Sequence, residues 1–261
     1  MHPELFRIGS FALPTYGALL ASGFLAAVWL LRKRAPAFGV APDAAADVAI
    51  WLLLAGLLGA KLLLLVVEGP RYLGSREGFV EFLRSGGVFY GGLIGAVLAL
   101  GVMLRRKAIG FWAFADIAAP CVALGHAIGR IGCLMAGCCW GRSCSAPWAI
   151  TFTDPAAGEN VGVPLNVPLH PTQIYESLGL LVLCGLLVSM RNPRFPGRIF
   201  AAYLGGYALL RGTVEFFRGD PRGSVLGGAL STSQLIALGG IAAALAIWLL
   251  NRKKTPQGAA A

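Results

Sequence analysis

The stretch from residue 129 to residue 142, GRIGCLMAGCCWGR, places two arginines and three cysteines in a chain that is otherwise mostly apolar. A guanidinium group binds phosphate through charge-assisted and often bidentate hydrogen bonds. Positive charge beside a thiol also lowers its pKa and favours the nucleophilic thiolate. Arg130 and Arg142 are therefore candidate phosphate-binding groups, and the neighbouring cysteines are candidate nucleophiles.

A fourth cysteine follows, so that Cys133, Cys138, Cys139 and Cys144 form the pattern C-x4-C-C-x4-C. In an oxidising compartment an even set of cysteines is typical of disulfides. A thiolate beside the arginines is the second interpretation. A zinc site is the least expected of the three, because two adjacent cysteines are unusual spacing for structural zinc. We therefore predict no metal and no cofactor, and leave disulfide and thiolate open.

The segment YALLRGTVEFFR near residue 211 contains Tyr207, Arg211 and Glu215 at positions i, i+4 and i+8. This spacing places the three side chains on one face of a helix. The arginine and the glutamate form either a structural ion pair between helices or part of a substrate site.

The segment HPTQIYE, residues 170–176, begins another apolar helix with a proline in its favoured first turn. His170, Tyr175 and Glu176 supply an imidazole, a phenol and a carboxylate near one membrane level. His126 lies one helical turn before Arg130, and each histidine is either a structural hydrogen-bonding residue or part of the site.

Composition assigns the chain to the membrane proteins, since 57% of the 261 residues are hydrophobic, 13% are charged and the mean hydropathy is +0.71. A bilayer-crossing helix needs about 20 apolar residues. Seven segments meet this requirement and predict an all-α polytopic bundle: 14–31, 48–67, 87–104, 111–129, 172–190, 199–217 and 231–250.

Basic clusters predict the orientation of this bundle. They follow the first, third, fifth and seventh spans, and by the positive-inside rule that side is cytoplasmic, with the N-terminus outside. The net charge of +10 therefore reflects topology, and we expect no nucleic-acid partner. The chain is predicted to be one transmembrane domain over 1–250 with a basic cytoplasmic tail at 251–261. Segments 68–86 and 131–168 are placed on the outer face, the first as either an interfacial helix or a loop and the second as a loop.

Ionisable residues at membrane depth cost roughly 2.5–3.5 kcal/mol each on insertion scales. Several of them at one level therefore predict a polar cavity near the outer side, where we place the functional site.

Five motifs in this order resemble the prolipoprotein diacylglyceryl transferase family over about residues 10 to 250. They are Tyr16 with Gly17, GGLIG at 91–95, the GRIG…G…WGR signature, HPTQIYE and YALLRGTVEFFR. The resemblance implies a bacterial cytoplasmic-membrane enzyme whose active site faces the outer leaflet. Such an enzyme moves the diacylglyceryl group of phosphatidylglycerol, an anionic phospholipid, to the thiol of a lipoprotein precursor or to another acceptor and releases glycerol phosphate.

The resemblance also implies roles for individual residues. Arg130 and Arg211 are expected to bind phosphate or act in catalysis, and the chain departs from the family pattern where Cys133, Cys138 and Tyr90 replace the usual Asn, Glu and His. Tyr90 is a hydrogen-bond donor to phosphate rather than a base, and His126 is the candidate for the missing imidazole. The predicted catalytic set is Arg130, Arg211, Tyr90, His126, Cys138 and Glu215. The predicted substrate-binding set is Tyr16, Arg142, His170, Tyr175, Glu176, Tyr207, Cys133 and Cys139.

Two alternatives remain on the sequence alone. One is a membrane thiol-disulfide oxidoreductase that uses the four-cysteine set, and the other is a non-catalytic phospholipid-binding or transport protein. Both account for cysteines or cationic residues beside a membrane, and neither needs lipid turnover.

Overall fold

A computed structural model describes residues 4–8, 11–190, 195–220, 223–225 and 230–253. Helices dominate this part of the chain and are joined by three short two-stranded antiparallel sheets. The α-helices are α1 (Thr15–Arg34), α2 (Pro42–Leu73), α3 (Arg76–Arg84), α4 (Phe89–Arg106), α5 (Phe111–Ala136), α6 (Pro155–Val161), α7 (Thr172–Ser189), α8 (Arg198–Glu215) and α9 (Thr232–Asn251). The paired strands are β1 (Glu4–Ile8) with β2 (Phe11–Pro14), β3 (Ile150–Thr151) with β4 (Pro168–Leu169), and β5 (Ser224–Val225) with β6 (Leu230–Ser231).

The predicted all-α membrane bundle is confirmed in its helical content. Within the described residues, six helices are long and apolar enough to cross a bilayer, namely α2, α4, α5, α7, α9 and the segment Thr15–Phe38 that begins with α1. The seventh predicted span, 199–217, forms α8, but this 18-residue helix carries three charged residues, Arg198, Arg211 and Glu215, and is not among the six. Of the predicted tail at 251–261, only residues 251–253 are among the described residues.

The chain divides into two compact units, one formed by residues 32–114 and the other by residues 1–31 together with 115–261. In the first unit, α2 continues past its apolar part through a kink at Glu68, where the backbone has φ −125° and ψ 19°. The amphipathic segment predicted as either helix or loop is helical over α3, which Ser75 caps by accepting a hydrogen bond from the Gly78 backbone. Lys61 donates to the carbonyls of Phe82 and Ser85 at the end of α3 and so fixes its C-terminus.

Glycines let α2 and α4 approach at backbone contact. A β-carbon at Gly95 would lie 2.3 Å from the Ala55 carbonyl oxygen, and one at Gly59 would lie 2.4 Å from that of Gly91. Small residues at such positions are typical of membrane helices, whose association depends on close van der Waals packing.

In the second unit, α5, α7 and α8 share a core that includes Ala123 and Ala127 from α5 and Leu180 from α7. Segment 131–168, predicted as a loop on the outer face, contains the last residues of α5 and the short helix α6. Its Phe152 belongs to a buried cluster that also includes Leu169 of β4. The placement of this segment on the outer face stays a prediction.

The glycine contact between α2 and α4 gives a stability prediction. Gly95→Ala places a methyl group against backbone, and overpacking of this kind costs about 1–3 kcal/mol. We expect the unfolding midpoint in detergent, followed by tryptophan fluorescence, to fall by roughly 3–10 °C. Gly101→Ala on the same helix is the matched control, because a β-carbon there meets nothing within 4 Å. An equal midpoint for the two variants would contradict the contact.

Candidate functional site

A fully buried carboxylate, Glu176, lies at the centre of the site. Its Oε1 accepts a hydrogen bond from Arg130 Nη2 at 2.7 Å and lies 3.4 Å from the hydroxyl of Tyr207. His126 Nε2 lies 3.7 Å from the same oxygen, and its ring stacks obliquely on Tyr207 with centroids 5.3 Å apart. One carboxylate thus gathers side chains from α5, α7 and α8.

The first turns of α7 fix this carboxylate in place through a face of buried polar residues. Thr172 Oγ1 and Gln173 Nε2 each donate at 2.7 Å to the carbonyls of Cys139 and Cys138, and Ser177 Oγ donates at 2.9 Å to that of Ala127. Sequence reasoning missed these anchors. The available signal was their spacing, since positions 172, 173, 176 and 177 lie on one face of a helix.

A second ion pair lies on α8. Arg211 Nη1 is 2.6 Å from Glu215 Oε2, and both side chains are 9% exposed. The pair therefore forms as the i, i+4 spacing predicts. Arg211 Nη2 also donates to Ser233 Oγ at 2.7 Å, a contact with α9 that the sequence did not indicate.

A third pair follows α8. Arg218 donates through Nε and Nη2 to both carboxylate oxygens of Asp220, at 2.8 and 2.7 Å, and its side chain is 3% exposed. Arg142 lies between Gly141 and Ser143, which each form an isolated β-bridge. Its backbone amide donates to the Phe217 carbonyl at 2.9 Å, and its side chain is exposed. Its guanidinium group is thus accessible while its backbone is fixed.

Three of the four clustered cysteines come together. The sulfurs of Cys133, Cys138 and Cys139 lie within 4.8 Å of one another, whereas Cys144 does not join them. Among the described residues, Cys133, Cys138 and Cys144 form no disulfide. Among the described residues, these three sulfurs are the one group of histidine, cysteine or acidic side chains close enough to hold a metal ion.

The thiols differ in acidity. The pKa of Cys139 is lowered well below the usual value of a thiol, mainly by hydrogen bonds from the other two thiols. A hydrogen bond from the Arg218 guanidinium and the positive charge of that group lower it further. Its hydrogen bonds to Cys133 and Cys139 raise the pKa of Cys138 far above that value. Cys139 is therefore the most acidic thiol of the group.

His170 and Tyr175 belong to a separate aromatic set. His170 Nδ1 is 3.1 Å from the Tyr175 hydroxyl, to which Trp148 Nε1 also donates at 2.7 Å. Both rings contact Phe217, with centroids 5.2 and 5.8 Å away. In the described contacts, this set does not include Glu176, although Glu176 directly follows Tyr175 in the chain.

Two of the four predicted tyrosines, Tyr16 and Tyr90, lie in different units. The Tyr16 ring packs on the backbone of α5 at Gly132, where a β-carbon would lie 3.1 Å from its Cδ2. Tyr90 is in the first turn of α4, within the unit formed by residues 32–114, and is 69% exposed. Its catalytic role stays a prediction.

The arrangement consists of three arginines that are each paired with a carboxylate and lie in one unit with a thiol cluster. The carboxylates hold the guanidinium groups in fixed orientations. Each carboxylate uses only part of the five N–H donors of its arginine, so other donors remain for a ligand. The Nε–H of Arg130, for example, is buried and has no hydrogen-bond partner among the described residues. The long apolar helices and these fixed guanidinium groups define a helical membrane protein with a preorganised cationic site, and such groups are suited to binding anions.

Comparison with known proteins agrees with this class. A sequence model of the family described as prolipoprotein diacylglyceryl transferase matches residues 3–250. The phosphatidylglycerol–prolipoprotein diacylglyceryl transferase of Clostridium tetani is 37% identical over 97% of this chain and 98% of its own length. The proteins of the same name from Gloeobacter violaceus and Geobacter sulfurreducens are 33% and 34% identical, covering 98% and 90% of this chain and 96% and 89% of their own lengths. The chain belongs to the prolipoprotein diacylglyceryl transferase family.

The buried pair of Arg130 and Glu176 gives a second stability prediction. Glu176→Gln leaves the Arg130 charge uncompensated, and breaking a buried pair costs about 3–5 kcal/mol. Asp43→Asn is the matched control, because Asp43 pairs with Arg32 at the same distance of 2.7 Å but both side chains are exposed. An exposed pair contributes about 0–1 kcal/mol.

The measurement is the denaturant-induced unfolding of both variants in the same detergent. We expect a large loss for Glu176→Gln, a partial recovery when Arg130→Met is added, and little change for Asp43→Asn. Equal losses for the two carboxylate variants would contradict the buried pair.

The acidity of Cys139 gives a prediction about pH. In reduced, metal-free protein, alkylation of Cys139 should persist to lower pH than that of an ordinary thiol, because its lowered pKa preserves the thiolate. Arg218→Gln removes the stabilising charge, raises the pKa of Cys139 and shifts the rate profile to higher pH. The rate is measured by mass spectrometry of the peptide that contains residues 138 and 139, with Arg142→Gln as the control. An unshifted profile for Arg218→Gln would contradict the assignment.

Proposed function

We propose that this protein transfers the diacylglyceryl group of phosphatidylglycerol to the thiol of a lipobox cysteine in a prolipoprotein. The relatives from Clostridium tetani and Gloeobacter violaceus are named for these two substrates. The observation that carries the proposal is the fixed guanidinium group of Arg130, held by Glu176 at the centre of the site. That arginine belongs to the signature on which the family resemblance rests.

The reaction needs charge stabilisation at the leaving group. The acceptor sulfur forms a bond to the terminal glyceryl carbon, the carbon–oxygen bond to phosphate breaks, and glycerol phosphate leaves with the electron pair. Charge builds on the phosphate oxygens as that bond breaks. Preorganised donors at this position lower the barrier, and we assign this role to Arg130 and Arg211.

The carboxylates act by positioning. Glu176 holds Arg130 and Glu215 holds Arg211, so that neither arginine must be reoriented when lipid enters. The exposed Arg142 and the half-exposed Tyr16 are assigned to the lipid headgroup. His170, Tyr175 and Tyr207 are assigned to the walls of the substrate site.

The proton of the acceptor thiol requires a base or another means of removal. His126 is the imidazole closest to the central pair, at 3.7 Å from the Glu176 carboxylate, and is our candidate for that function. Tyr90 replaces the histidine that the family has before its glycine pair, and we assign it hydrogen bonding to phosphate.

We further propose that the protein lies in the bacterial cytoplasmic membrane with its active site toward the outer leaflet. The last turns of α1 and α4 carry Arg32, Lys33, Arg34, Arg105 and Arg106. The positive-inside rule then places these helix ends in the cytoplasm.

The test is lipid transfer by purified protein in phosphatidylglycerol vesicles with a lipobox peptide. We expect Arg130→Ala and Arg211→Ala each to lower the rate about 10²–10³-fold, the usual cost of removing one oxyanion donor. Arg32→Ala is the control, because its guanidinium forms an exposed pair with Asp43 and it is not among the assigned site residues.

Full turnover by both arginine variants would overturn the assigned roles. Phospholipid binding without any change in the lipid would instead support a binding or transport protein. Thiol exchange that Cys138→Ser abolishes while lipid transfer continues would support an oxidoreductase.

A further inference from the structure

We propose that Cys133, Cys138 and Cys139 bind one zinc ion through their sulfurs and leave its fourth coordination position for the acceptor thiol. The zinc site stands on the geometry of this chain alone. The use of its fourth position rests on the proposed function.

The sulfur positions suit a tetrahedral ion. Zinc–thiolate bonds of about 2.3 Å place the sulfurs of a tetrahedral site about 3.8 Å apart. The three sulfurs already lie within 4.8 Å of one another, so each pair must approach by at most about 1 Å to reach that spacing. Sequence spacing alone disfavoured zinc, because adjacent cysteines usually point apart.

Backbone conformation removes that objection. Helix α5 ends at Ala136, and the chain then turns through Gly137 at φ +79° and Cys139 at φ +63°. These left-handed positions bring the adjacent cysteines back toward Cys133, whose carbonyl accepts from the Cys138 amide at 3.1 Å. A non-glycine residue at positive φ carries strain, and such strain is retained mainly where the surrounding structure fixes it.

The surrounding structure does fix this turn. The carbonyls of Cys138 and Cys139 accept hydrogen bonds from Gln173 and Thr172, whose side chains are 1% and 0% exposed. The ligand-bearing turn is thus joined to the start of α7 by buried donors. Metal sites depend on this kind of outer support to orient their ligands.

The local charge also suits the ion. Three thiolates and Zn²⁺ sum to one negative charge, and the positive charge of the Arg218 guanidinium acts on Cys139. Arg218 is itself fixed by Asp220. The site therefore has a cation in place to balance its remaining charge.

The fourth position is open on the protein side. Among the described residues, no further histidine, cysteine or acidic group joins the three sulfurs, and all three cysteines are partly exposed. Zinc with three protein ligands typically keeps its fourth position for water or substrate. A thiol that coordinates the ion has a lowered pKa, so its proton passes more readily to the base, for which His126 is the candidate, and the thiolate forms. Its sulfur can then form the new carbon–sulfur bond while glycerol phosphate leaves.

The first experiment measures zinc in protein purified with its thiols reduced and without chelators. We expect about one zinc per chain by elemental analysis, and at least a tenfold lower content for Cys133→Ser and Cys139→Ser. Cys144→Ser is the matched control, because Cys144 lies outside the sulfur group, and it should retain the ion. Should a serine variant fail to fold, removal of zinc from the wild type by a chelator, with three thiols becoming reactive, replaces it.

Two results would overturn the site. One is reduced wild-type protein that carries no zinc and does not take it up on titration with Zn²⁺. The other is zinc retained equally by all three serine variants. A disulfide among the three cysteines in protein purified without reductant, with no uptake of zinc after reduction, would also overturn it.

The second experiment uses Co²⁺ in place of zinc, because cobalt–thiolate coordination is visible in absorption spectra. A lipobox peptide should change the spectrum, whereas the same peptide with serine for cysteine should not. An unchanged spectrum with bound cobalt would overturn the fourth-position role and leave the metal site intact. Since this readout does not require turnover, its failure is distinct from a failure of the proposed transfer reaction.

Discussion

The placement of every element around the site depends on one buried carboxylate. Glu176 is inaccessible to solvent, and a charge at that depth is tolerated only with a partner. Arg130 supplies the compensating charge from α5, and the hydroxyl of Tyr207 approaches from α8. Three helices that the chain separates by long apolar runs are thereby brought to one point, so the packing of the helices sets the position of the Arg130 guanidinium.

The same constraint explains how the thiols come to lie near the arginines. Helix α7 carries Glu176 on the face that also presents Thr172 and Gln173 to the turn after α5. The same polar face of α7 therefore contacts Arg130 through Glu176 and the cysteine turn through Thr172 and Gln173. A change in either is expected to disturb the other, which couples the proposed phosphate-binding groups to the proposed metal site.

The sequence predicted the parts of the structure that depend on local periodicity. Apolar length identified the membrane helices, and the i, i+4 spacing identified the pair of Arg211 and Glu215. Sequence analysis did not predict that Arg130 pairs with Glu176, since the two lie 46 positions apart and only the fold brings them together. It also grouped Tyr175 with Glu176, whereas consecutive helical residues point about 100° apart and contact different partners. Linear spacing likewise disfavoured a metal, because left-handed backbone at residue 139 is not visible in the pattern C-x4-C-C-x4-C.

We propose that this protein joins lipid to a thiol. It does so with cysteines and a tyrosine at positions where the family resemblance leads us to expect amide, carboxylate and imidazole groups. The most direct test is to incubate purified protein with phosphatidylglycerol vesicles and a lipobox peptide and to quantify both products by mass spectrometry. We expect one thioether-linked diacylglyceryl peptide for each glycerol phosphate released. Glycerol phosphate without modified peptide, or neither product from folded protein, would contradict it.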